Sequence, residues 1–327
     1  MSEGFTRHLE KVPLAKTGLD ITRLSFGTAP LGGLYTSIPE SDADEVIATA
    51  LSAGINYFDT APLYGHGRAE IRLGRGLALA TEPFVLSTKI GEVLNPTENA
   101  DTSWFADADR NLQPVFDFSR EGVLRSIDES LQRLGVDHID IVYIHDPDNH
   151  VEAALNESYP ALHELRSQGV IKAIGIGMNQ WAVPTRFVNE TDIDIVLVAG
   201  RYSLLDQSAQ DQLFPAALRK DVAVIVGGVY NSGVLANPNP GATYDYLPAS
   251  EEIIARARLV RDVLAEYNVS LTAAAMQFPL RHPAVTAVLT GARSAKELLA
   301  NIEDFDRPIS DEIWRVLEER GLVLPIK

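Results

Sequence analysis

Eight short apolar runs rich in β-branched residues, each followed by a stretch of helical period, and a composition with no break near the middle of 327 residues predict one α/β domain over 1–327, a closed (β/α)8 (TIM) barrel. The runs lie at 24–27, 57–59, 84–89, 139–145, 171–177, 195–198, 223–227 and 285–290. Eight consecutive units favour closure over an open doubly wound sheet or two domains.

The remaining elements follow in order. Residues 12–22 read as a β-hairpin turning at Thr17-Gly18 and plugging the barrel's bottom. Helical stretches are expected at 41–53, 68–80, 119–134, 152–168, 184–189 and 210–218, with Ser41 and Ser119 as start signals before apolar-periodic runs. Two insertions are too long for simple strand-to-helix loops: 91–118, with Trp104, Phe105, Phe116 and Phe118, and 228–250, rich in Gly, Pro, Asn and Tyr. Long ordered loops of this kind are lids or binding loops. Extra C-terminal helices are expected at 251–267 and 271–281, before the last strand, and from 310 to a stop at Gly321.

Composition removes several function classes. No uninterrupted apolar stretch reaches the roughly 18 residues of a bilayer span, and the first ten residues lack a leader's apolar core, so a cytoplasmic protein is expected. A formal net charge of −17 repels phosphate backbones and anionic membranes, which speaks against nucleic-acid or membrane partners and leaves a small-molecule substrate. With no cysteine there is no disulfide, thiolate nucleophile or Cys-based metal site. His145 has no partner at helical ligand spacing and the Asp146/Asp148 pair flanks a proline, so no metal is expected.

Three runs end on an ionisable residue at the active face of such a barrel: 57–59 on Asp59, before Tyr64; 84–89 on Lys89; 139–145 on His145. Singly, each has an ordinary reading as a turn cap, packing ring, surface lysine or loop residue. As a set they have one chemistry. A phenol is a poor acid or base at neutral pH; a nearby ammonium favours its phenolate, and a carboxylate holds that ammonium in place. A histidine orients the substrate oxygen. The set suits moving a proton on or off a carbinol oxygen while a hydride leaves or joins its carbon, with Asp59, Tyr64, Lys89 and His145 as the catalytic residues, and it lacks the nucleophile and base of a hydrolase. No G-x-G-x-x-G follows the first strand, so a Rossmann domain is not supported. Instead, 285–294 places a strand, the Gly291 turn and a helix start at the eighth unit, the usual phosphate position of a barrel. A capped final helix fits the same residues.

Through Gly27-Thr28, Asp59-Thr-Ala-Pro-Leu-Tyr64-Gly65, Ser87-Thr-Lys89, Tyr143-Ile-His145 and Gly291-Ala-Arg-Ser the chain resembles the aldo-keto reductases over nearly its whole length. The resemblance implies an extended nicotinamide dinucleotide held by Gly27, Thr28, Asp59, Asn179, Gly228, Gly291, Arg293, Glu297 and Asn301, with Asn179 on the carboxamide. Met178 and Ala199 stand where many members have serine and glutamine. Glu297 aligns with the basic residue that many NADP-dependent members place against the 2′-phosphate, which implies NAD, with NADP open because of Arg293. Further segments, 199–207, 227–235 and 241–246, resemble the sugar-oxidising branch of D-threo-aldose 1-dehydrogenases and its relative pyridoxal 4-dehydrogenase. That implies oxidation of a cyclic hemiacetal to a lactone, on an aldose of the L-fucose, D-arabinose or L-galactose type or on pyridoxal, with Tyr64 as base and Trp104, Tyr230 and Asn231 as substrate contacts. An NADPH-dependent carbonyl reductase and a catalytically quiet nucleotide-binding subunit are the alternatives. Oligomeric state is not legible.

Overall fold

The computed structural model describes residues 6–327; residues 1–5, part of the stretch read for a leader, lie outside it. Eight parallel strands close into a barrel in chain order: β1 (Leu24–Gly27), β2 (Tyr57–Asp59), β3 (Val85–Ile90), β4 (Ile141–His145), β5 (Ala173–Met178), β6 (Ile195–Ala199), β7 (Ala223–Gly227) and β8 (Val285–Thr290). Every bound lies within two residues of the expected run.

Side-chain alternation sorts these strands into two cores. Phe58, Leu86, Val142, Ile144, Ile174 and Val196 point outward and pack under the helices. Tyr57, Val85, Ile141, Tyr143, Ala173, Ile195 and Ile225 point inward. The hairpin of Lys11–Pro13 and Asp20–Thr22 closes the bottom as expected, inserting Val12, Leu14, Leu19 and Ile21 into the inner cluster.

The helices depart from expectation in instructive ways. Ser119, Ser250, Ser270 and Ser294 each accept a hydrogen bond from the amide three residues on, as N-caps do. Ser41 does not: Pro39 is the N-cap, the helix starts at Glu40, and the Ser41 hydroxyl turns to Asp42. The fourth helical stretch is interrupted by a π turn at Ala154–Ser158 ahead of Pro160, whose missing N–H breaks the regular ladder. For the same reason the helix expected over 271–281 stops at Gln277 and tightens into a 3-10 turn through Pro279.

Both insertions are ordered. The first contains a hairpin of Glu92–Pro96 with Leu112–Phe116, the second a short one of Thr243–Tyr244 with Leu247–Pro248. Both rise from the C-terminal ends of strands, the face where barrel loops build sites.

Gly175 on β5 faces Tyr143 across the interior: a Cβ there falls 2.4 Å from the Tyr143 ring. Gly175→Ala is expected to lower unfolding free energy by about 1–3 kcal/mol through overpacking, read by denaturant titration.

Candidate active site

Inward alternation at the tops of three neighbouring strands brings Asp59, Lys89 and His145 together. Lys89 Nζ donates to Asp59 Oδ2 at 2.7 Å and to the Thr60 carbonyl at 2.7 Å, with both charged side chains about 1% exposed. A column of hydroxyls supports the pair from below. Ser87 Oγ donates to Asp59 Oδ1 at 2.7 Å, the Tyr57 hydroxyl lies 3.0 Å from Ser87 Oγ, and the Tyr143 hydroxyl lies 2.8 Å from that of Tyr57. Because Ser87 donates upward, Tyr57 donates to Ser87 and Tyr143 to Tyr57.

Tyr64 sits on the turn after β2, its ring face 4.7 Å from Lys89 Nζ and its centroid 6.0 Å from that of His145, edge to face. Two carboxylates flank His145: Glu92 Oε2 at 3.6 Å from Nδ1 and Asp146 Oδ2 at 3.7 Å from Nε2. The Lys89 charge was expected to lower the Tyr64 phenol. The structure reverses this: burial pushes the phenol well above its ordinary value, and Asp59, Asp146 and Glu92 push it further. The lysine charge is answered at 2.7 Å by Asp59, so the phenol meets two further carboxylates with no second cation to balance them. Burial also raises Asp146, with Glu92 and Asp148 adding to the shift against His145 and Lys89.

Two cavities meet at Tyr64. One, of about 430 Å³ and within the range of small-molecule sites, is lined by His145, Glu92, Asp146, Asp101, Trp104 and Tyr246 among others. The other is a groove along Gly27, Thr28, Ala199, Gly227, Gly228 and Gly291 that reaches Asp59 and Asn179. Small residues at the tops of β1, β6 and β7 make room for it. Gly228, at φ +62 with a virtual Cβ 3.0 Å from the Gly200 amide, is a position for glycine alone. Thr28 Oγ1 and Asn231 Oδ1 are buried beside the groove without a hydrogen-bond partner, polar atoms available to a polar ligand. Among the described residues no group of three or more His, Asp or Glu side chains is placed to hold a metal ion.

Several expected contacts lie elsewhere. Tyr230 lines neither cavity; left-handed Asn231 and Ser232 turn the chain after it, and its hydroxyl donates to Asn301 Oδ1 at 2.9 Å. Asn231 lines the groove rather than the substrate cavity and donates to the Gly200 carbonyl. Asn301 is engaged with Tyr230 and the Gly291 carbonyl. Glu297 and Arg293 lie beyond the groove's lining: the Glu297 amide donates to the Ser294 N-cap hydroxyl, its carboxylate accepts from the amide of Arg293, one residue before that cap, and it pairs with the Arg293 guanidinium at 2.9 Å. Trp104 lines the cavity beside Tyr64 and His145, edge to face with Tyr246.

The sequence profile of the aldo/keto reductase family matches residues 23–320. The chain belongs to that family. It is 42% identical to pyridoxal 4-dehydrogenase of Microbacterium luteolum, covering 96% of this chain and 98% of the relative. It is 38% identical to a D-threo-aldose 1-dehydrogenase of a Pseudomonas species, covering 94% and 97%. A solved aldo-keto reductase of Bacillus halodurans, in its holo form, superposes with a TM-score of 0.76 at 26% identity, covering 95% of this chain and 96% of that one. The protein is thus an oxidoreductase acting on CH–OH groups with a nicotinamide dinucleotide, and the closed barrel is the fold of its relatives.

Three residues lining the cavity beside Tyr64, Glu92, Asp101 and Tyr246, were not singled out from the sequence, and a fourth, Asp146, was weighed only as a metal ligand. Asp146 had a readable signal, an acidic residue directly after His145 at a strand end; it takes the left-handed φ of 41°. Tyr246 occupies the second left-handed position of the Asp245-Tyr246 turn, which aims its ring over both cavities.

Removing one partner of the buried pair leaves the other charge without compensation. Lys89→Met is expected to lower unfolding free energy by about 3–5 kcal/mol. The double variant Asp59→Asn/Lys89→Met should recover much of that loss while remaining inactive. Denaturant titration of wild type, both single variants and the double variant checks the sign of the coupling.

Proposed function

We propose that the protein oxidises the anomeric hydroxyl of a cyclic hemiacetal, an aldose of the L-fucose, D-arabinose or L-galactose type, to the lactone with NAD. One observation carries the reading: the Asp59–Lys89 pair, Tyr64 and His145 stand where a substrate cavity opens into a groove lined by small residues. The most similar relatives reported above, named for oxidising pyridoxal and D-threo-aldoses, support the direction. Pyridoxal, taken to its lactone, is the alternative substrate of the same chemistry.

The bound dinucleotide supplies the hydride acceptor. Thr28 Oγ1, Asn179 and Asn231 Oδ1 would offer it polar contacts along the groove, and Gly27, Gly228 and Gly291 would let it approach the backbone. Tyr64, as phenolate, takes the proton of the C1 hydroxyl while C1 loses its hydride, and the C1–O bond becomes the lactone carbonyl. Lys89 stabilises the phenolate from the face of its ring, Asp59 and Thr60 hold Lys89 in place, and His145 orients the hydroxyl. In reverse, the neutral phenol protonates the oxygen as a carbonyl is reduced, and its raised pKa favours this use at neutral pH.

The sign of the pH dependence follows. A phenol held above its usual range is ionised only at alkaline pH, so kcat/KM for oxidation is expected to climb about tenfold per pH unit from neutrality, while reduction stays flat. Tyr64→Phe should lose about 100-fold or more in kcat and lose the alkaline limb. Wild-type kcat in that variant would refute the assignment.

NAD is favoured over NADP on the resemblance, which brings the adenosine ribose to the Arg293–Glu297 pair just beyond the groove's lining: a 2′-phosphate there would have to break the pair and sit beside a carboxylate, whereas a free hydroxyl need do neither. The kcat/KM ratio is expected to favour NAD by about tenfold or more and to narrow in Glu297→Ala, which frees Arg293. An NADP preference in the wild type would overturn this.

A further inference from the structure

The walls of the substrate cavity carry charge of one sign. Glu92, Asp101 and Asp146 line it, the imidazoles of His66 and His145 and the phenols of Tyr64 and Tyr246 complete its ionisable groups, and among the described residues no lysine or arginine does. Lys89 lies beneath, paired with Asp59 at 2.7 Å. Arg68, Arg125 and Arg133 face a neighbouring surface cavity that shares His66; there Arg125 pairs with Glu129, and Arg133 with Glu70.

Glu92 adds a more specific feature. Its side chain is 13% exposed, and Oε2, 3.6 Å from His145 Nδ1, is buried without a hydrogen-bond donor. A buried carboxylate oxygen lacking a donor is expensive to maintain. His145, 10% exposed, likewise makes no close hydrogen bond, its two flanking carboxylates standing at 3.6 and 3.7 Å. The rings of Trp104, Phe105 and Tyr246 also line it, apolar surface for the C–H face of a ring. Hydroxyl donors on one side and an apolar face on the other complement such a cavity.

We infer that this cavity selects its substrate by charge: Glu92, with Asp146 and Asp101, accepts hydrogen bonds from an uncharged polyhydroxylated or a cationic ring and turns away the same ring bearing a carboxylate or phosphate. The inference rests on reading this cavity as the place where substrate meets dinucleotide. Glu92 is here a specificity residue, touching the substrate away from the reacting carbon. Its charge also acts on Tyr64, being one of those that raise the phenol.

A sugar series that changes only the C6 group tests it: L-fucose, L-galactose, 6-amino-6-deoxy-L-galactose and L-galacturonate, each oxidised with NAD by wild type, Glu92→Gln and Asp101→Asn. The first three are expected to be substrates. L-galacturonate should fall short of L-galactose by about 30-fold in kcat/KM, and Glu92→Gln should narrow that gap several-fold. Glu92→Gln should also move the alkaline limb of oxidation to lower pH, because one charge opposing the phenolate is gone, an effect that a merely structural role would not produce. If Glu92→Gln does not fold, Asp101→Asn, on the exposed rim, carries the comparison with a smaller narrowing.

A second pair separates this inference from the proposed reaction. 4-Carboxybenzaldehyde and 4-hydroxymethylbenzaldehyde are reduced with NADH by wild type and variants, the ring electronics cancelling when the two enzymes' ratios are compared. Sugars oxidised with no penalty for L-galacturonate overturn the charge inference and leave the function standing. No sugar oxidised, but a carboxylate penalty in the aldehyde pair that Glu92→Gln relieves, overturns the sugar reading and upholds charge selection. Equal rates for both aldehydes in wild type and variant overturn charge selection.

Discussion

The contact between Lys89 Nζ and Asp59 Oδ2, 2.7 Å long and closed to solvent, is the constraint around which the site is built. Two buried charges are tolerated only where each is answered and the remaining polar valences are filled. The barrel supplies this from three strands at once: the Thr60 carbonyl takes a second Lys89 proton, Ser87 fills Asp59 Oδ1, and Tyr57 and Tyr143 extend the column into the interior. The column in turn dictates Gly175, because Tyr143 needs the space a side chain on β5 would take. Stability and catalysis are therefore coupled here. The ammonium that, in the proposed reaction, steadies a phenolate is the same group that keeps a carboxylate buried at the barrel's centre.

How much of this was legible follows from which residues are set by local period and which by distant contact. Strands were readable because alternation and β-branched runs mark them, and alternation alone places Asp59, Lys89 and His145 inward once their strand ends are fixed. Helix starts were readable where a serine has a free amide three residues on, as at Ser119. At Ser41 the preceding Pro39 and the pull of Arg72 and Arg75 on Glu40 begin the helix earlier. Loop residues resisted. Tyr230 was expected at the substrate because an aromatic face suits a polyol ring; the two left-handed residues after it turn the chain, and its ring lines neither cavity. Glu92 gave no signal, since its meaning depends on His145, more than fifty positions away. Glu297 was reached through the family resemblance alone, and its ties to the Ser294 cap and the Arg293 amide were not read although Ser294 and Glu297 have the three-residue spacing of such a cap.

The two insertions form the cavity and are tied down rather than free. Asp107 in the first is held by Arg72 at 2.8 Å, and its neighbours Ala106 and Asp109 donate to the Gly33 and Gly65 carbonyls, which pins the wall carrying Trp104 to the turn carrying Tyr64. In the second, Arg201 holds Asp245 at 2.8 Å and the Ser232 hydroxyl accepts from the Tyr246 amide, fixing the ring that faces Trp104. Such cross-ties give loops the geometric precision that a hydride transfer needs.

The negative cavity poses a problem that its own chemistry resolves. Glu92 and Asp146 raise the phenol and so make the phenolate scarce at neutral pH, which works against oxidation. Yet a phenolate formed against that opposition is a stronger base, and because proton transfer realises only part of the pKa difference in its transition state, the gain falls short of the lost population until the pH approaches the phenol's pKa. The field of the same carboxylates also reaches, from contacts elsewhere on the ring, a substrate carbon that becomes electron-poor as its hydride departs, and charge fixed in place beforehand favours that change without reorganisation. The two effects act on different atoms. One governs when the base is available, and the other governs how readily the C–H bond yields once it is. On the proposed reaction, a cavity whose acidic side chains meet no lysine or arginine on its walls therefore makes oxidation slow at neutral pH and quicker under alkaline conditions, with the neutral phenol ready at neutral pH to serve the reverse reduction.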